Sequence, residues 1–288
     1  MKLLEHFKEL SLHPENAEQL KGLILQLAIQ GKLTANWRQE NPDLEPASEL
    51  LKRIEAEKKK LIAEKKIKKE KTLPPVENDE MPYELPEGWV WCRMGQIAEK
   101  LGAGSTPTGG KSAYVDKGIM FFRSQNIYNH YLKLQDVALI PELTHEKMKG
   151  TKVKPKDILL NITGGSIGRC ALIPDNFTTA NVSQHVAIVR MIELETREYI
   201  HQFVISPGFQ DRIMDVQVGV SREGLSMTKL KMFPTPLPSL EEQKVIVEKV
   251  NSLMALCDKL EQQIETSNIQ IEQLMLSCLK EVFEQELN

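Results

Sequence analysis

The chain has 288 residues, 41% apolar and 27% charged, with a formal net charge of −3. That length and apolar share support one or two domains with proper cores and exclude a disordered tail or a mini-protein. No apolar run approaches the ~18 residues of a membrane span, Met1 to Leu12 carries no signal-peptide core, and Cys92, Cys170, Cys257 and Cys278 show no C-x-x-C spacing, so a membrane protein, a secreted disulfide scaffold and a zinc module are set aside.

A cytoplasmic location is the resulting expectation. Residues 15–33 read as a helix with Leu20, Leu23, Ile24, Leu27 and Ala28 on one face and Gly31 as C-cap. After a loop holding Asn41-Pro42 and Pro46, Ser48 is placed to cap a second helix from Glu49 to about Lys71. It is a charged rod whose thin apolar edge is Leu51, Ile54, Leu61 and Ile62. Residues 1–72 thus form an N-terminal helical region. The acidic, proline-bearing stretch 73–84 has no periodicity and reads as a linker.

From Leu85 the texture changes to short apolar runs separated by turns. Gly88 to Trp91, Ile119 to Phe122, Asp157 to Leu160, Cys170 to Ile173 and His185 to Val189 read as strands, and Thr196 to Met214 as a helix interrupted near Pro207-Gly208. Residues 85–238 are therefore a mixed α/β domain with loops long enough to carry function. Pro234, Pro236 and Pro238 close it.

Ser239 then caps a long helix over 239–288. Its apolar positions Ile246, Val250, Leu253, Cys257, Leu260, Ile264, Ile271, Leu274 and Cys278 step by four and three, with Ser267 filling the vacant place. That is a heptad seam, the signature of a coiled coil, and it puts Cys257 and Cys278 on a buried stripe. Roughly 40 residues at 1.5 Å each make a rod of about 60 Å. Such a rod needs a partner helix, from the N-terminal region, from a second copy, or from both. The fold class expected is α+β: one mixed α/β domain plus long helices forming an antiparallel or dimeric coiled coil.

The two ends of the chain also match each other. Gln19-Leu20, Leu25 and Leu33 align with Gln273-Leu274, Leu279 and Leu287 at one fixed offset, and Ile24/Cys278, Ala28/Val282 and Ile29/Phe283 are apolar in both copies. A helical repeat bracketing a different middle suggests a symmetric design. Charge is segregated as well: residues 52–71 sum to +6, 86–238 to +4 and 239–288 to −6. A polyanion would meet the middle and the lysine run, not the acidic helix.

Catalytic patterns fail on inspection. Ser105 to Ser112 has the outline of a P-loop, yet Ser105 stands where glycine is required and no long helix follows. Gly164-Gly165-Ser166-Ile167-Gly168 sits between two short strands and reads as a glycine turn. Pro42-Asp43 with Glu57-x-Lys59 makes a nuclease pattern only by force, and Asn41-Pro42-Asp43 is no adenine-methyltransferase motif. His6, His13, His130, His145, His185 and His201 are irregularly spaced, without a metal-ligand cluster. The balance favours a recognition or scaffold protein.

A set of ordered motifs carries this further. Leu85-Pro86-Glu87-Gly88-Trp89, Gly104-Ser105-Thr106-Pro107, Phe122 to Ile127, Gly165 to Arg169, Asn181 to Val186, and Pro236 to Gln243 followed by the long helix resemble, in that order, the signposts of the specificity subunits of type I restriction-modification systems. Gly31-Lys32-Leu33 resembles the family's helical region. Full-length members alternate two recognition domains with two helical regions, whereas this chain resembles half of one, with a single domain between two helical segments.

The resemblance implies a non-catalytic protein that binds double-stranded DNA. It also implies methyltransferase subunits that use S-adenosylmethionine on adenine N6 and an ATP-dependent restriction subunit, with no cofactor or metal on this chain. A homodimer would recreate the two-domain arrangement and read a bipartite, palindromic site. Base reading needs Arg, Asn, Gln, Ser and Thr on loops, with Lys on phosphates. The candidates are Ser105, Thr106, Arg123, Ser124, Asn126, Asn161, Thr163, Arg169, Ser183, Gln184, Ser221, Arg222 and Lys229, led by the three arginines. Gly164, Gly165 and Gly168 shape a loop, and Trp89 and Trp91 pack the domain border. The alternative is a coiled-coil assembly scaffold without DNA specificity.

Overall fold

The computed structural model describes residues 15–218 and 224–285. Helix α1 (Glu15–Ile29) closes through Gly31 at φ +67°. The Gly31 and Lys32 N–H groups bond back to Ala28 and Leu27, the glycine-dependent ending the sequence implies. Helices α2 (Ala35–Glu40) and α3 (Ala47–Ala63) follow. Here the expectation fails at both ends, since Pro46 and not Ser48 stands at the N-cap, and α3 stops at Ala63 instead of Lys71. Past Ile62 no apolar edge continues, and lysines one turn apart, such as Lys65 and Lys69, repel along a helix. Lys65 itself turns left-handed, at φ 58°.

The stretch 73–84 carries one short 3-10 turn, Asn78–Glu80, and is pinned. Arg93, only 1% exposed, donates to the carbonyls of Pro74 and Pro75 at 3.1 and 2.6 Å and to the Glu80 carboxylate. Tyr83 adds a bond to the Ile29 carbonyl at 2.9 Å.

The middle domain begins with β1 (Val90–Arg93), α4 (Met94–Ile97), β2 (Ala98–Ala103), β3 (Ile119–Phe122) and the hairpin β4 (Ile127–Tyr128) and β5 (Tyr131–Leu132). It continues through β6 (Ala138–Ile140), α5 (Glu142–Lys147), β7 (Lys152–Val153), β8 (Ile158–Asn161), β9 (Cys170–Leu172), β10 (Ala180–Val182) and β11 (Val186–Met191). Helices α6 (Arg197–Val204), α7 (Pro207–Val218) and α8 (Met227–Met232), strand β12 (Pro234–Leu237) and helix α9 (Leu240–Gln285) complete the chain.

Two four-stranded sheets form, ordered β2-β11-β8-β9 and β6-β3-β10-β7. Strand β11 is buried along its whole length, which requires cover on both faces. Its Val186 and Ile188, with Leu159, pack against Phe122, Val153 and Val182 of the other sheet. The alternate residues Ala187 and Val189, with Ile158 and Leu160, join a second core with Ile200, Phe203, Ile24 and Ile246 from the helices. The first sheet is therefore the middle of three layers. Within it, Arg190 forks onto the fully buried Asp157 at 2.6 and 2.7 Å.

Strands β1 and β12 pair antiparallel, with Val90 opposite Leu237 and Arg93 opposite Pro234. The sequence presents Pro234, Pro236 and Pro238 as punctuation, but the first two lie within a strand. A two-stranded ribbon tolerates them because each strand has a free edge.

Helix α9 starts as predicted, with the Ser239 hydroxyl accepting the Glu242 N–H at 3.2 Å. Its 46 residues span about 70 Å. The first part lies antiparallel to α1: Lys21 sits between Asp258 (2.8 Å) and Glu261 (3.0 Å), and Lys249 reaches the Leu33 carbonyl. Ile246, Val250, Cys257 and Ile264 are buried, and Leu253 and Leu260 partly so. Beyond them the seam is bare. Ile271 and Leu274 are 57% and 66% exposed, and Cys278, expected on a buried stripe, is exposed. Among the described residues, the N-terminal helices cover only the first half of the rod. Leu287 of the end-to-end repeat lies outside the described residues.

Candidate nucleic-acid interface

Four backbone segments converge at one end of the two sheets. The Gly104 and Ser105 N–H groups, leaving β2, bond the carbonyls of Val186 and Val182 at 2.9 and 3.1 Å. The Ser183 N–H, leaving β10, bonds the Phe122 carbonyl at the end of β3, and the Ile162 N–H, leaving β8, bonds the His185 carbonyl. Glycine is required at 104, where an added Cβ would stand 2.1 Å from the Val182 oxygen. The chain returning after residue 223 joins the same end, since the Leu225 N–H bonds the Ile162 carbonyl at 2.7 Å.

The candidates separate by burial. Ser105, Thr106 and Gln184 are exposed, and Thr163 and Ser124 are partly exposed. Asn126, Asn161 and Ser183 are buried, and the side-chain amide donors of the two asparagines are spent within the loops. Asn126 is 1% exposed, accepts the Arg123 N–H and donates to the Lys133 carbonyl, closing the turn after β3. Asn161 donates to the Ser124 carbonyl at 2.9 Å and to Ser166 Oγ at 3.0 Å, tying the β3 turn to the glycine loop. Ser183 is 3% exposed, beneath the β10–β11 turn. Asn and Ser at loop bases serve the loop's own backbone as readily as a ligand.

The arginines differ from one another. Arg169 lays its guanidinium 4.6 Å over the Tyr128 ring, which stacks on Tyr131 at 5.0 Å. The stack fixes a long side chain that would otherwise lose rotamer entropy on binding. Arg123 has one long bond, Nη2 to the Asp136 carbonyl at 3.5 Å, while its Nε is buried without a partner. Ser221 and Arg222 lie outside the described residues. Lys229 is exposed on α8, which packs against α4 and β2, and it is not on one of the four segments.

Sequence reasoning missed three groups here. Lys133 enters through its N–H bond to the Asn126 carbonyl at 2.8 Å. The Tyr128–Tyr131 hairpin enters by holding Arg169. His185 enters because its exposed ring meets Thr163, Nδ1 to Oγ1 at 2.6 Å. Only the alternation after Val182 could have flagged His185, by placing it at a turn beside Gln184. The glycine loop keeps its shape through Gly164 and Gly168, at φ +77° and +85°.

At the opposite border of the domain the remaining motifs meet at one carboxylate. Glu242, 2% exposed, accepts from Thr34 Oγ1 (2.6 Å), from Arg38 Nη2 (2.6 Å) and from Trp89 Nε1 (2.8 Å). The Arg38 guanidinium also lies 5.7 Å from the Trp89 ring centre. Trp89 is 7% exposed and belongs to the core, as its place in the sequence suggests.

The family model described as "Type I restriction modification DNA specificity domain" matches residues 86–273. Curated relatives include the "Type I restriction enzyme EcoAI specificity subunit" of Escherichia coli, 31% identical over 92% of this chain and 44% of its own length. The EcoEI specificity subunit, also of Escherichia coli, is 28% identical over 92% of this chain and 45% of its own length. A solved structure described as "Structural basis underlying complex assembly and conformational transition of the type I R-M system" matches with a TM-score of 0.56 at 17% identity. It covers 81% of this chain and 52% of the other, a likeness of fold. The chain spans about half the length of the curated relatives it matches.

Proposed function

The chain belongs to the type I restriction-modification DNA specificity family, and from that membership we propose that it acts as a half-sized specificity subunit, reading a DNA half-site and making or breaking no bond itself. The observation that carries this is the convergence of the segments at 104–106, 123–126, 161–169 and 183–185, with Ser105, Thr106, Gln184 and the stacked Arg169 accessible around them. Short polar side chains and a pre-ordered guanidinium are what groove readout requires.

In this reading the helices dock methyltransferase subunits that carry S-adenosylmethionine, and an ATP-driven restriction subunit joins them. Two copies pair about a two-fold axis. The bare stretch of α9 supports the pairing. Leu274 and Leu279 are the repeat counterparts of Leu20 and Leu25. Leu25 is buried and Leu20 packs against the core, whereas Leu274 and Leu279 are 66% and 51% exposed. A face covered in one copy and bare in the other is fitted to receive a helix. A symmetric pair reads a bipartite palindrome whose spacer is set by the helices.

The test is light scattering of the purified chain with and without methyltransferase subunits, followed by selection from a pool of random duplexes and methylome mapping in cells. A dimer near twice 32.8 kDa with a palindromic motif supports the reading. A non-palindromic motif with this as the sole specificity subunit removes the dimer. Recruitment of proteins without any salt-dependent DNA affinity would leave the assembly-scaffold reading instead.

A further inference from the structure

We infer that His185 reads a base edge as a hydrogen-bond donor through Nε2, with Thr163 as the positioning residue that fixes its ring. The inference rests on the DNA-reading function proposed above and assigns one specificity-determining contact within it.

His185 is exposed at the turn between β10 and β11, flanked by the exposed Gln184 and the buried Val186. Its backbone is fixed from two sides, because its carbonyl accepts the Ile162 N–H at 3.0 Å and the next residue, Val186, donates to the Ser183 carbonyl at 3.0 Å. Its ring is fixed as well, with Nδ1 2.6 Å from Thr163 Oγ1. Thr163 is held in turn by its position between Ile162, which is tied to both His185 and Leu225, and the left-handed Gly164. Gly224 passes so close that a Cβ there would meet Thr163 Cγ2 at 2.2 Å, so the returning chain walls the threonine in.

The chemistry follows from the pairing. An imidazole has two ring nitrogens, and one of them is engaged by Thr163. The 2.6 Å contact admits either donor, and the proposed one is the Thr163 hydroxyl, with Nδ1 accepting. The ring proton then sits on Nε2 of the exposed ring, which donates in a direction set by the Thr163 bond. A fixed donor selects acceptors. In the major groove these are purine N7, guanine O6 and thymine O4, and an exocyclic amino group is disfavoured. Gln184 can contact phosphate or base by rotating, but a ring held at both backbone and Nδ1 cannot adapt to the wrong edge.

The experiment uses the full chain, the duplex it selects from a random pool, and a series of that duplex in which each purine in turn is replaced by its 7-deaza analogue, each guanine by 2-aminopurine, which lacks O6, and each thymine by 5-methyl-2-pyrimidinone, which lacks O4. Wild type should lose roughly tenfold in affinity at one position. His185→Ala should bind the parent duplex more weakly and be indifferent to the analogue at that position, while keeping its sensitivity elsewhere. Thr163→Val should blunt the same position and Thr163→Ser restore it, a pattern that a mere loosening of the loop does not produce. If His185→Ala and wild type respond alike to every analogue, the inference falls and the DNA-reading function stands. If no duplex is selected at all, both fall together.

Discussion

Trp89 Nε1 donates to Glu242 Oε2 at 2.8 Å, joining two residues 153 positions apart. The bond ties the residue just before β1 to the first turn of the C-terminal helix, while Thr34 and Arg38 bring the N-terminal helices to the same carboxylate. Three segments that look like unrelated motifs are therefore one buried cluster.

Truncating that cluster should cost stability in proportion to what is left unpaired. Trp89→Phe removes one charge-assisted bond and should lower unfolding free energy by about 1.5–3 kcal/mol. Glu242→Ala leaves the Arg38 cation without its partner and should cost about 3–5 kcal/mol. Urea denaturation measures both, and equal losses would contradict the arrangement.

Stability should also fall in mild acid because of His201. Burial holds its proton affinity down from 6.5 to about 4, and its Nε2 donates to the Cys170 carbonyl in the neutral form. Between those pH values the unfolded chain binds the proton and the folded chain does not. The full contribution is therefore present above about 6.5 and is lost as pH falls toward 4, at about 1.4 kcal/mol per pH unit from this group. His130, edge-on at 5.4 Å, acts in the same direction. Unfolding free energies at stepped pH should show the slope in wild type and a shallower one in His201→Gln, which keeps a donor without the titration.

Leu274→Lys changes a side chain that is 66% exposed. If two copies pair as proposed, the melting temperature of the chain at low concentration should stay put while the solution mass drops from twice 32.8 kDa to 32.8 kDa. An unchanged mass would show that pairing does not use this stretch of α9.

Arg169 offers a sharper contrast on the DNA side. Arg169→Ala should weaken duplex binding by about 1–3 kcal/mol. Arg169→Lys restores the charge without the planar stack on Tyr128 and should recover only part of that. Anisotropy titrations at two salt concentrations separate the charge from the stack, and full recovery by lysine would make the stack irrelevant.

Much of this fold is legible along the chain because local chemistry and tertiary role coincide. Gly31 must end α1 since it alone takes φ +67° without strain, and Ser239 must begin α9 since its hydroxyl meets an orphan N–H. The heptad seam announces a partner, though not that α1 would cover only its first half. Other features stay hidden because they depend on contacts remote in sequence. The strand Ala180–Val182 is three residues long and exists because β3 and β7 flank it. Lysines beyond Ile62 look helical by propensity, yet their side chains are exposed and supply no apolar face. Asn126 and Asn161 look like readers by type, but they are consumed at the bases of the loops they seem to arm. His185 acquires a role only through Thr163, 22 positions away.

The pairing of β1 with β12 places Val90 opposite Leu237, so the segment between them leaves the helical frame and rejoins it at one spot. A piece of chain with adjacent ends can be inherited as a unit, exchanged for another of different length and loop sequence without moving the frame. The border residues set the condition for such an exchange. An incoming segment must supply a tryptophan for Glu242 and an arginine that, like Arg93, grips Pro74 and Pro75, while its own tips are free to diverge. New target sequences could then arise by replacement of the cassette rather than by gradual redesign of the whole protein.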